Sequence, residues 1–259
     1  MRPLTGLIKS AEEQTRNAGN QLLFELASGA SGLALALFMW GHMILVGSIL
    51  TGKRGFDWLA STLEVYYVAQ PTVFIVLALF LVHAALASRK IPAQLAERRR
   101  MIVLGKGLAR AGRDRPATAS ELSPLQPHVE SILWIWQVRT GMVILVLGSF
   151  HVLLLGIDVL TPLFGERIGI EALSSVTRVK AGLWLPYAIL LVCVEFHASI
   201  GLYRLAIKWG AGRMLSRQAL HNIERVLLWF FLGLGVLVLL VLAEVLPPPL
   251  SFLLSAPPA

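Results

Sequence analysis

The sequence is short of charge and nearly empty of cysteine. Only 15% of its 259 residues are Asp, Glu, Lys or Arg, against 56% hydrophobic, and the mean hydropathy is +0.71. A soluble domain carries roughly a quarter charged residues, so a water-facing surface is hard to build here. Lipid is the solvent that suits such a composition. The single cysteine, Cys193, lies inside an apolar block, which excludes an intrachain disulfide and any cysteine-rich iron–sulfur or zinc site. No dinucleotide-binding glycine motif is present either. The N-terminal stretch MRPLTGLIKSAEEQTRNAGNQ is polar and mixed in charge, and the first long apolar run begins too late for a signal peptide. The formal charge of +8 would suit nucleic acid, but the basic residues cluster beside apolar runs. That is how a membrane protein sets its orientation, so the expected partner is a lipid bilayer and not a nucleic acid.

Runs near 20 residues with few charges predict five transmembrane helices in an all-α bundle, at about 28–51, 68–88, 132–157, 182–207 and 223–246. The whole chain, 1–259, reads as a single membrane domain. The connection 89–115 holds nine Lys/Arg against two acidic residues, Glu97 and Asp114, and 204–225 adds five more basic residues. The connections 52–67 and 158–181 hold only Lys53, Arg54, Arg167, Arg178 and Lys180. This asymmetry places the N-terminus in the cytoplasm and the C-terminus in the periplasm. No internal repeat stands out, which disfavours a transporter of repeated halves.

Six histidines are present, and His42, His83, His151 and His197 fall one on each of the first four spans. His83 precedes Lys90 by seven residues and His197 precedes Arg204 by seven, about 10 Å from the inner edge at 1.5 Å per residue. His151 precedes Asp158 by seven and His42 precedes Lys53 by eleven, so both belong to the outer half. Two histidines at each depth is the arrangement that two stacked, bis-imidazole haems need, with no open iron position, which favours electron transfer over ligand activation. A single intramembrane histidine is as well explained by a hydrogen bond to a neighbouring helix; four, split by depth into two pairs, are not. Gly41, Gly148 and Gly201 lie close to these histidines in sequence and offer close approach to a flat ring. Ser28, Ser31, Trp134, Arg204 and Lys208 fall within reach of inner propionates, and each is equally an interface anchor.

Two carboxylates complete the set. Glu195 lies two residues before His197; a lone carboxylate in hydrocarbon is expensive, which makes it a candidate proton carrier or a structural partner for Arg139. Arg139 has three options open: snorkelling inward, a propionate, or Glu195. Glu64 lies in the outer connection just before the second span, where a quinol oxidised nearby needs a proton acceptor.

The blocks LFMWGHM around His42, FLVHAALASRKIP around His83, LWIWQ and LGSFHVL before and around His151, and VEFHASIGLYRLAIKWG around His197 carry a family likeness. The chain resembles the dihaem cytochrome b membrane-anchor subunit of quinol:fumarate reductases and succinate:quinone oxidoreductases, over nearly its whole length. The resemblance implies two haem b groups, the proximal one on His83 and His197 and the distal one on His42 and His151. It implies that Glu64, ending GSILTGKRGFDWLASTLE, accepts protons from menaquinol. Glu195 would move protons across the membrane with the electrons, and Lys208 and Trp134 would lie near propionates. The stretch LASGASG lacks the Trp-Gln-Ser pattern seen in the family before the first helix, which leaves the choice between Ser28 and Ser31 open. The implied partners are an iron–sulfur subunit and, through it, a FAD-bearing flavoprotein subunit, in a multi-pass complex of the bacterial cytoplasmic membrane whose oligomeric state, a dimer included, stays open. The implied task is menaquinol oxidation for fumarate reduction. The alternatives are the same subunit in a succinate dehydrogenase reducing menaquinone, the cytochrome b anchor of a hydrogenase or formate dehydrogenase, and a transporter or anchor without cofactor.

Overall fold

The computed structural model describes residues 4–113, 129–161, 163–164 and 171–254. Among them there are helices and turns and no strand, as expected where backbone polar groups must be satisfied within lipid. The first helix, α1 (Leu4–Gly47), runs into a 3-10 turn at Ser48–Thr51. The hydroxyls of Ser48 and Thr51 donate back to the carbonyls of Leu45 and Ser48, at 2.6 and 2.8 Å, which tightens that end. Gly52, at φ 103°, then turns the chain as only glycine does readily.

A short helix follows, α2 (Lys53–Val65), then α3 (Ala69–Ser88), α4 (Ile91–Arg113) and α5 (Val129–Leu160). The next helix, α6 (Ala172–Arg178), passes through a π turn, Val179–Leu183, into α7 (Trp184–Lys208). Pro186 sits in the first turn of α7, where its missing N–H costs no helical bond. The last long helix, α8 (Arg217–Leu242), starts on Ser216, whose hydroxyl accepts the Ala219 N–H at 3.1 Å.

Five helical stretches are long and apolar enough to cross a membrane: Ala18–Thr51, Pro71–Gly107, Ser131–Asp158, Ala172–Lys208 and Arg217–Leu242. The connections 52–67 and 89–115, treated above only as loops carrying charge, are helical over most of their length, in α2 and α4. His128 lies outside the described residues.

Helix α7 is the hub of the bundle. It packs on α5, α8 and α1, while α1 packs on α3 and α8. Large apolar side chains such as Val73, Phe74 and Ile75 on α3 and Val226, Trp229 and Phe230 on α8 stay exposed, the surface that lipid covers. The four helices that carry His42, His83, His151 and His197 are therefore neighbours around one interior.

One end of the bundle is capped. Ile49, Leu50, Phe56, Ala172, Val176, Val179, Val238, Val241 and Leu242 form a buried apolar cluster there. Asp57 on α2 accepts the Ala172 N–H at 2.7 Å, capping α6 from a neighbouring helix, and the Leu250 N–H reaches the Leu50 carbonyl at 2.9 Å. Exposed Glu244 takes both Lys53, at 3.1 Å, and Lys180, at 2.7 Å. The hydrogen bond from Lys180, then that from Lys53, hold its carboxyl below the ordinary carboxylate range. The opposite end is basic: α4 projects there, and Glu25 of α1 pairs with both Lys90 and Lys208, tying α1 to the α3–α4 joint and to α7.

Candidate functional site

Near the basic end the rings of His83 and His197 meet at right angles, with centres 6.2 Å apart and planes at 87°. Each is held by a backbone carbonyl on a neighbouring helix. His83 Nδ1 lies 3.2 Å from the Ser28 carbonyl and 3.3 Å from the Ser31 hydroxyl, which itself donates to the Ser28 carbonyl. His197 Nδ1 lies 2.9 Å from the Gln137 carbonyl. A carbonyl only accepts, so in both rings Nδ1 carries the hydrogen and Nε2 keeps its lone pair.

The room for these rings comes from glycines four residues beyond each carbonyl. A Cβ on Gly32 would meet His83 Cε1 at 2.8 Å, and a Cβ on Gly141 would meet His197 Cε1 at 2.9 Å. The same local rule thus operates twice: a glycine one turn along uncovers the carbonyl's second lone pair and lets an imidazole settle on it. The glycines chosen from sequence proximity are not the ones that do this. A Cβ on Gly41 would meet nothing, one on Gly148 only ordinary contacts with Ile144 and Phe80, and one on Gly201 the Gln137 amide at 3.0 Å.

Toward the capped end, His151 meets Tyr187 edge-on with centres 5.4 Å apart, and its buried Nδ1 has no partner. His42 stacks on Phe38 at 5.7 Å. Arg178 forms a buried ion pair with Asp158; the two residues are 4% and 0% exposed. Asp158 also accepts the Phe164 N–H at 2.8 Å, and Arg178 donates to Ser175 at 3.0 Å. Sequence spacing uses Asp158 only as the edge of a span and Arg178 only as a charge in the 158–181 connection, and nothing local joins the two.

The remaining candidates separate. Glu195 is 1% exposed; its Oε2 accepts from Trp40 Nε1 at 3.4 Å and its Oε1 has no partner. Arg139 does not pair with it: the guanidinium lies 5.7 Å from the Trp136 ring centre on the exposed side of α5. Ser28 and Ser31 both meet His83. Arg204 donates to the Gln137 side chain at 2.9 Å, so Gln137, absent from the sequence candidates, joins His197 to Arg204. Lys208 is taken by Glu25, and Trp134 is half-buried near the start of α5. Glu64 occupies the last turn of α2, half-buried, rather than a loop.

Fold and geometry define a helical bundle, long and apolar enough to cross a membrane, that holds four half-buried imidazoles, with His83 and His197 in contact near its basic end. Comparison with known proteins agrees. The succinate dehydrogenase/fumarate reductase transmembrane subunit family matches residues 112–242. Fumarate reductase cytochrome b subunits of two Helicobacter pylori strains are each 32% identical over 233 residues, covering 87% of this chain and 82% of theirs. The corresponding subunit of Wolinella succinogenes is 34% identical over 189 residues, 70% of this chain and 64% of its own. The chain belongs to this family and is a cytochrome b-type membrane subunit of a fumarate reductase/succinate:quinone oxidoreductase, a multi-pass protein of the bacterial inner membrane.

Membership implies haem b, and the residues present fit it. Among the described residues no three His, Cys, Asp or Glu converge to hold a bare metal ion, whereas a porphyrin brings four nitrogens of its own and asks only two of the protein. Two imidazoles sharing one metal, at about 2.0 Å per metal–nitrogen bond, have ring centres about 6 Å apart, close to the His83–His197 spacing. Toward the capped end the Nδ1 of His151 is buried without a partner, an orphaned polar atom of the kind a bound group or water completes.

Proposed function

We propose that this subunit holds two bis-histidine haem b groups, one between His83 and His197 at the basic end and one between His42 and His151 toward the capped end. When bound, such haems supply one-electron carriers with no open iron position. The observation that carries the reading is the 6.2 Å centre-to-centre spacing of the His83 and His197 rings, each with Nδ1 engaged by a carbonyl. Four alanine substitutions test it, with haem counted per chain. Loss of haem on replacing His221 while all four of these variants kept both groups would overturn the assignment.

The basic end faces the cytoplasm in this reading, following the charge asymmetry, and receives the iron–sulfur subunit and, beyond it, the FAD-bearing flavoprotein subunit. The relatives' fumarate reductase names support that assembly. Menaquinol is oxidised near the capped end, yielding menaquinone, two protons and two electrons. Glu64, half-buried at the end of α2 and next to the start of α3, accepts protons there. Glu195, buried in the bundle with one oxygen unpartnered, carries protons along the same direction as the electrons. Ser28, Ser31, Gln137, Gly32 and Gly141 orient the basic-end imidazoles, and Arg204 holds the Gln137 side chain. Lys208 and Trp134 remain the candidates for anionic propionates at that end, Lys208 in exchange with Glu25.

A further inference from the structure

Helix α4 leaves the bundle at its basic end. Over its 23 residues, Ile91–Arg113, its substantial packing among the described residues is on α3 alone. It starts one residue after Lys90, which Glu25 ties to the bundle, and at 1.5 Å per residue it is about 34 Å long. Partway along it Met101, Ile102, Val103 and Leu104 follow one another, and they are 64%, 42%, 68% and 60% exposed. The first of them lies about 16 Å along the helix from Lys90.

A surface helix ordinarily keeps its apolar residues in one stripe, at every third or fourth position. Four in a row cover a whole turn of 3.6 residues, so they form a collar that faces every direction. Charge is zoned along the axis in the same way. Arg98, Arg99 and Arg100 occupy the preceding turn, and Lys106 follows the collar. Arg99, Arg100 and Lys106 are exposed. Across α4 six basic residues stand against one acidic residue, Glu97.

This zoning selects the partner. A bilayer surface covers a helix from one side and suits an apolar face opposite a polar one; it would leave half of a collar in water. Contiguous apolar surface of this kind marks a site of interaction. The segment that follows, 114–128, reads DRPATASELSPLQPH and brings only two large aliphatic side chains, Leu122 and Leu125, against the collar's four. A cleft in a folded protein closes round a helix. Arginines on one side of the collar and Lys106 on the other complement an acidic rim to such a cleft.

We propose that residues 101–104 seat in an apolar, acid-rimmed cleft of the iron–sulfur subunit, with Arg99, Arg100 and Lys106 paired to the rim. The proposal rests on the reading of the basic end as the face that receives that subunit, given above. Helix α4 is then an arm that grips the soluble partner, and it adds affinity without touching any of the four haem-ligand candidates.

The test uses the whole complex in its membrane. A photo-crosslinking amino acid is placed at Val103 and, separately, at Met214, which is 89% exposed in the α7–α8 connection at the same end. The proposal expects Val103 to crosslink to the iron–sulfur subunit. The double variant Met101→Ser with Val103→Ser is expected to keep the native haem content and to weaken retention of that subunit roughly a hundredfold, about tenfold for each buried apolar side chain. Arg99→Glu with Arg100→Glu is expected to weaken retention more at low salt than at high salt. Crosslinks from Val103 to phospholipid or to a second copy of this chain, or full retention by the double-serine variant, overturn the arm. If Met214 still crosslinks to the iron–sulfur subunit in that case, the docking reading of the basic end stands without the arm. If neither position reaches that subunit, both readings fall.

Discussion

At the basic end both imidazoles arrive docked, His83 on the Ser28 carbonyl and His197 on the Gln137 carbonyl, each with a glycine one turn further on. At the capped end His151 Nδ1 is buried without a partner, and His42 rests against Phe38. The first site is oriented by backbone, which no side-chain substitution removes. The second is oriented by ring packing, His151 against Tyr187 and His42 against Phe38. The two proposed haem sites thus differ in what holds their imidazoles: a backbone carbonyl for each ring at one, ring contacts at the other.

That contrast can be broken site by site. The largest effects come from the ligands: His83→Ala or His197→Ala removes the basic-end haem and weakens assembly, and His42→Ala or His151→Ala removes only the other, as counted by haem per chain and by EPR. Next, Glu64→Gln retains both haems yet slows quinol oxidation by roughly a hundredfold or more, the scale of a lost proton acceptor; a normal rate would remove Glu64 from the mechanism. Asp158→Asn removes the carboxylate that faces the buried Arg178 charge, and costs about 3 kcal/mol in thermal unfolding, with early loss of the capped-end haem. Gly141→Ala forces a methyl against His197 and costs about 1–3 kcal/mol; its signature is a changed EPR signal of the basic-end haem alone. Ser31→Ala is the mildest, about 1 kcal/mol or less, because the Ser28 carbonyl still holds His83.

The five spans and the depth of the four histidines were legible because each depends on runs and spacings along one helix. What stayed hidden depends on contacts between helices. The sequence search looked for small residues beside each histidine on its own helix and chose Gly41, Gly148 and Gly201; the rings instead need Gly32 and Gly141, which sit on facing helices. Ser31 and His83 are 52 positions apart, and no local pattern joins them. Gln137 was passed over for the same reason. Helices α2 and α4 lie in stretches whose charge signals orientation and masks their helical periodicity. Asp158 marks the edge of a span in the sequence and Arg178 a charge in a connection, whereas the capped end folds over them and buries the pair.

The most direct test is the haem content of the purified chain, from a reduced pyridine haemochrome spectrum together with low-temperature EPR of the oxidised form. The account predicts two low-spin b haems per chain with distinguishable signals, one from each pocket. A single haem would mean that one histidine pair does not form a site, and none in folded protein made with ample haem would contradict the account outright.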